Sequence, residues 1–133
     1  MPLKITLKPH ERIIIAGASL INGKSSAGFV IENNVPILRE KDILREPEAN
    51  TPARRIYFVI QLMYLDRVNL VEYHQVYWRL AREFLSAVPS SLKIIDGVSE
   101  HILGDQFFKA LKAARKLIEY ETKLLAPTVV TED

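Results

Sequence analysis

Cysteine is absent from this 133-residue chain. That excludes disulfides, thiolate zinc sites and cysteine nucleophiles, and it suits a reducing compartment. Long hydrophobic runs are also missing. The most apolar window, Ile56 to Leu65, is ten residues long and still contains Gln61, about half of the ~20 residues that span a bilayer. Met1-Pro2-Leu3-Lys4-Ile5 lacks the apolar stretch of a signal peptide, so a cytoplasmic protein with no membrane partner is expected. Charge of one sign is scarce as well: 18 basic residues face 16 acidic ones, a formal net charge of +2. Such a total implies neither nucleic acid nor membrane binding, although a local patch can act where the total does not. The three histidines, His10, His74 and His101, are scattered without a second histidine three to five residues away, so neither a metal nor a cofactor is expected.

Catalytic constellations are equally sparse. Glu100 and His101 are adjacent, and neighbours on a helix point about 100° apart. Ser90 and Ser91 sit where helix caps belong. With no nucleophile, base and orienting group in reach of one another, an enzyme is not expected. The glycine-rich stretch "GASLINGKSSAG" deserves the same test, because Gly23-Lys24-Ser25 resembles the end of a phosphate-binding loop. Such a loop needs four residues between its first glycine and the Gly-Lys-Ser, and it must run from a strand into a helix. Five residues separate Gly17 from Gly23, and Ser26 to Ile31 reads as another strand. The stretch is read instead as a hairpin turn at Asn22-Gly23 with Lys24 at its tip.

Two halves of different period make up the rest. In residues 1–46, Leu3, Ile5 and Leu7 alternate with Lys4, Thr6 and Lys8, the period of a half-buried strand. Arg12 to Ile15, Ser19 to Ile21, Phe29 to Ile31 and Val35 to Arg39 give four more strands, the last placed at an edge by Pro36. After the polar Glu46–Asn50 connection, Thr51-Pro52 signals a helix start. The helix that follows is apolar on nearly every side and needs to be surrounded. A second helix spans roughly Asn69 to Ala87, a third runs from Ser90-Ser91 to Gly104, and a fourth, capped by Asp105, has a seam of Phe107, Leu111, Ala114, Ile118 and Leu125. The expectation is an α+β chain: a five-stranded antiparallel sheet (1–46), a bundle of about four helices (47–126) and a flexible tail (127–133).

Two readings stay open for the basic groups. Lys4, Thr6 and Lys8 share one face of the first strand, a row that suits a phosphate backbone and equally suits protection of a strand edge. Arg39, in Arg39-Glu40-Lys41-Asp42, can reach a base edge or phosphate, or pair with a neighbouring carboxylate. The candidate RNA-facing set is Lys4, Thr6, Lys8, Lys24, Arg39, Arg54 and Arg55. Lysines on the fourth helix (Lys109, Lys112, Lys116 and Lys123) read as a solvated face.

The stretches "MPLKITLKP", "ERIII", "VIEN", "ILREKDIL" and "ANTPARRIYF", with the later "KALKAARKLIEYE", resemble in order the FlbT family of flagellar biosynthesis regulators across most of the chain. The resemblance implies a post-transcriptional repressor of flagellin synthesis that binds the 5′ untranslated region of flagellin mRNA and promotes its degradation. FlaF and flagellin are the implied protein partners. The strand-rich half also resembles the CsrA family of RNA-binding translational regulators, which implies RNA contacts on the first and fifth strands and a homodimer of interleaved strands. Thr6, Lys8 and Arg39 match that pattern by position. Leu7 falls where an arginine is expected, "REKDI" is one residue longer than its counterpart, and His10 stands where an FlbT-like sequence is expected to carry glycine. The alternative is a protein-interaction module that docks flagellin or FlaF through the Ile56–Leu65 helix and the aromatic cluster of Tyr73, Tyr77 and Trp78.

Overall fold

A computed structural model describes residues 2–126; the tail expected at 127–133 lies outside the described residues. The chain divides between Ile43 and Leu44 into two compact units. The architecture is α+β, with five antiparallel strands followed by four α-helices.

In the first unit the strands are β1 (Leu3–Leu7), β2 (Arg12–Ile15), β3 (Ala18–Ile21), β4 (Ala27–Ile31) and β5 (Ile37–Arg39). They form two sheets rather than one: β1 pairs with β4, and β2 lies between β3 and β5. The alternation in β1 sends Ile5 and Leu7 inward, where they meet Ile13 of β2 and the flanking Phe29, Ile31 and Ile37. Ile5 stands directly across from Phe29 in the ladder, an aromatic–branched pair that supports the register. Pro36 precedes β5, which is an edge strand as the proline implies.

The hairpin is not where the sequence placed it. Ala16 and Gly17, both with positive φ (51° and 87°), form the two-residue turn that joins β2 to β3, the backbone that matches strand twist. Asn22 and Gly23 have no positive φ, and β3 does not pair with β4. Asn22 instead acts through its side chain: Nδ2 donates to the carbonyls of Lys8 at 2.8 Å and Ser25 at 2.9 Å. The Asn22-Gly23 segment carries the chain from one sheet to the other. The Gly-Lys-Ser tripeptide therefore lies between strands, not at the start of a helix.

The helical unit contains α1 (Pro52–Leu65), α2 (Leu70–Ala87), α3 (Leu92–Leu103) and α4 (Phe107–Leu125). Thr51 caps α1, its hydroxyl accepting from the Arg54 N–H at 3.2 Å, with Pro52 at the first helical position. As the apolar run requires, α1 is the central helix: Ile56, Ile60 and Met63 are fully buried, with α2 and α4 packed against it. Even Gln61 is buried, its amide donating to the Leu44 carbonyl at 2.9 Å and accepting from the Leu44 N–H at 2.8 Å. A second N-terminal donor of α1, the Ala53 N–H, is satisfied at 2.8 Å by the carboxylate of Glu121 from α4.

Two details of the helix reading are corrected. Asp105 does not cap α4; it adopts φ 57° and its carboxylate receives both bonds from Arg67, at 2.9 and 3.1 Å. The α4 seam ends at Leu117 and Glu121, while Leu125 is exposed and borders an open cavity with Pro52, Phe84 and Val88. Among the described residues no helix is long and apolar enough to cross a membrane.

Candidate nucleic-acid interface

The candidate surface begins with the alternation of β1. Because Ile5 and Leu7 are only 3% and 4% exposed, Lys4, Thr6 and Lys8 are left on the outer side, all exposed. After Lys8 the chain turns sharply through Pro9 and His10, and His10 takes a left-handed φ of 62°. That conformation, which favours glycine and tolerates few side chains, is held by its surroundings. The His10 N–H donates to the Gly23 carbonyl at 2.9 Å and the Glu11 N–H to the Lys8 carbonyl at 3.1 Å. The Lys8 N–H in turn donates to Glu11 Oε1 at 2.9 Å, so Lys8 and Glu11 close the turn from both sides.

Arg39, the last residue of β5, reaches across to this turn. Its Nη2 donates to the Thr6 carbonyl at 2.9 Å and to Glu11 Oε2 at 3.1 Å. One guanidinium thus ties the end of β5 to β1 and to the turn that follows β1, while its side chain remains 38% exposed. Such a charge-assisted bond is shorter and stronger than a neutral one. It also fixes the orientation of a planar group whose other donors make no hydrogen bond among the described residues. The Glu11 carboxyl, only 14% exposed, is held below its ordinary pKa, first by the Lys8 N–H and then by Arg39, against the opposing effect of burial.

Together these groups surround a cavity of about 560 Å³ in the first unit, lined by Thr6, Lys8, His10, Arg39 and Lys41 with Glu11 and Glu40. Three of the seven candidate residues therefore converge: Thr6, Lys8 and Arg39. Lys4 lies on the same outer side of β1 but does not line the cavity. Lys24 is exposed on the segment pinned by Asn22, next to the glycine that bonds His10. The ammonium groups of Lys4, Lys8 and Lys24 make no ion pair among the described residues. Arg54 and Arg55 belong to the helical unit, in the first turn of α1. There Arg54 Nη1 donates to Asn50 Oδ1 at 3.3 Å, and Arg55 borders an apolar cavity with Leu80, Phe84 and Leu124.

Glu11, His10 and Lys41 were not in the candidate set. The one signal that pointed to Glu11 is its spacing from Lys8 across Pro9-His10, which suits a side chain folding back on the start of a turn. Nothing local signals that residues 6–11 and 39–41 share a cavity, because the pairing of β2 with both β3 and β5 brings them together. The helix offered as an alternative docking surface is occupied: most of Ile56–Met63 is interior and Tyr77 is fully buried. Tyr73 and Trp78 are half-buried.

Comparison with known proteins gives a consistent answer. Residues 3–125 match the family described as "Flagellar protein FlbT". A relative from Bradyrhizobium diazoefficiens, named a probable flagellum biosynthesis repressor protein FlbT, is 47% identical over 93% of this chain and 85% of its own. One from Rhodopseudomonas palustris with the same description is 43% identical, over 95% of this chain and 99% of its own. The Caulobacter vibrioides "Flagellum biosynthesis repressor protein FlbT" is 39% identical over 94% of this chain and 90% of its own. No solved structure matches significantly. With a family match spanning both units and relatives aligned along nearly their whole length, the chain belongs to the FlbT family of flagellar proteins.

Proposed function

We propose that this protein represses flagellum biosynthesis after transcription, without catalysing a reaction, by binding the 5′ untranslated region of flagellin mRNA in the cytoplasm and promoting its degradation. The names of the relatives support the repressor role. The RNA reading rests on one observation: Lys8 and Arg39, 31 positions apart in the chain, are brought to one cavity, with Lys4 and Lys24 exposed in the same unit. In this reading Lys4, Lys8 and Lys24 contact phosphates, which position the RNA without reading it. Arg39, its plane fixed by Thr6 and Glu11, contacts a base edge through its remaining donors. Arg54 and Arg55 supply phosphate contacts from the helical unit.

A gel-shift titration against the flagellin leader and a scrambled control tests this reading. The leader is expected to bind selectively. Five phosphate contacts, from Lys4, Lys8, Lys24, Arg54 and Arg55, at roughly −0.7 each predict a slope of about −3.5 for log affinity against log salt. Lys8→Ala is expected to weaken binding to every RNA alike, and Arg39→Ala to erase the preference for the leader. Equal binding to both RNAs, or no effect of either substitution, would overturn the assignment.

A further inference from the structure

The helical unit has an unfilled seam. Helix α1 packs on α2 and α4, and α4 packs on α3, but α2 and α3 meet only sparingly. Between them lies a groove of about 360 Å³. Its walls repeat at helical spacing: Trp78, Ala81 and Leu85 from α2, and Ile95, Ser99 and Leu103 from α3. The small residues Ala81 and Ser99 leave the depth, and the floor is braced by the Tyr77 hydroxyl, 2.9 Å from Ser99 Oγ. Tyr77 also meets the Trp78 ring edge-on at 4.9 Å.

We propose that this groove docks an amphipathic helix of a partner protein, a role that does not depend on the RNA reading. The seven steps from Trp78 to Leu85 rise about 10 Å, so the groove seats two turns of a helix presenting apolar side chains at i, i+3, i+4 and i+7. Leu103 is 72% exposed at one end of the groove, and on α2 the apolar surface continues to Val71, seven positions before Trp78 and also 72% exposed. A small ligand would leave that extension uncovered. The banks carry opposite charge: Arg82 borders the groove on α2, Asp96 and Glu100 on α3. The occupant therefore has a carboxylate on one flank of its apolar stripe and ammonium groups on the other. That pattern also sets the direction in which it lies, since reversing the helix exchanges its flanks.

Trp78 is the only tryptophan of the chain and reports directly on the groove. The probe is a designed peptide of about 18 residues, long enough to be helical alone, with a leucine stripe flanked by glutamate on one side and lysine on the other. A saturable blue shift of the tryptophan emission is expected, with a scrambled peptide of the same composition binding at least ten-fold more weakly. Leu103→Glu, at an exposed position, should weaken the stripe peptide ten-fold or more while leaving the circular dichroism spectrum and melting temperature unchanged. A peptide with glutamate on both flanks should bind several-fold more weakly than the mixed one, and Asp96→Lys with Glu100→Lys should reverse that order. The proposal is overturned by an absent shift, by equal binding of the scrambled peptide, or by indifference to Leu103→Glu. It is also overturned if sedimentation finds a dimer that Leu103→Glu dissociates, since the groove then holds a second copy of this chain.

Discussion

The two units are ordered by different means. The β unit of 43 residues is close to the size, roughly 40 residues, below which a lone core seldom suffices. Among the described residues its buried apolar side chains are only Ile5, Leu7, Ile13 and Leu38, with partly covered neighbours, and every residue of β3 is exposed. What fixes its shape is a set of polar ties: Asn22 to Lys8 and Ser25, Glu11 to Lys8, Arg39 to Thr6 and Glu11. The helical unit depends on burial, with α2 and α4 turning apolar seams toward α1 and α3 packing on α4. A polar tie is directional and costs little to exchange for water at the surface, whereas a buried side chain cannot be deleted without leaving a void. The β unit can thus place charged groups accurately on little core, and the helical unit can carry an open groove without collapsing.

The largest break in that contrast is expected from Ile60→Ala in α1. The side chain is fully buried, so its truncation should cost about 2–5 kcal/mol, read as a shifted denaturant midpoint, with hydrogen exchange accelerating in the helical unit. Asn22→Ala comes next. It removes two hydrogen bonds at a partly exposed position, for about 1–2 kcal/mol in total, and the amides that should exchange faster lie in residues 8–25. A loss as large as that of Ile60→Ala would mean that the β unit, too, depends on its core there.

A smaller effect concerns pH. Glu11 titrates below its ordinary 4.5 in the folded unit, so its contribution to stability is fully present above pH 4.5 and is lost as pH falls through the lowered value. Acid titration followed by NMR should show the Arg39 guanidinium signals changing in that window. In Glu11→Gln the change should vanish. The least effect is expected from Leu20→Lys on exposed β3, within about 0.5 kcal/mol. A larger loss would reveal that β3 is covered in solution.

How much could be read beforehand follows the same division. Helix signals are local: Thr51-Pro52 marks a start and Ile56–Leu65 an interior helix without reference to anything distant. Strand positions were legible for the same reason, since Leu3, Ile5 and Leu7 alternate within one segment. Strand partners were not. Asn22-Gly23 has the residues of a tight turn, yet the amide of Asn22 is consumed by the carbonyls of Lys8 and Ser25, and the turn falls on Ala16-Gly17, where alanine gives no warning of a positive φ. The site shared that fate. Thr6, Lys8 and Arg39 could be named from charge and position, but Glu11, which orients Arg39, was not named, because its partner comes from β5, 28 positions away. Arg54 and Arg55 joined the set on charge alone and lie in the other unit.

The bond between Glu121 and the Ala53 N–H also has a consequence in time. The two residues are 68 positions apart, whereas the most distant tie described in the β unit, from Arg39 to Thr6, spans 33. At roughly 5–20 residues per second of synthesis, the acceptor for Ala53 emerges about 3–14 s after its donor, and Arg39 about 2–7 s after Thr6. A growing chain can therefore finish the β unit while the central helix still waits for the segment that caps it, and the cavity lined by Lys8 and Arg39 exists before the helical unit is closed.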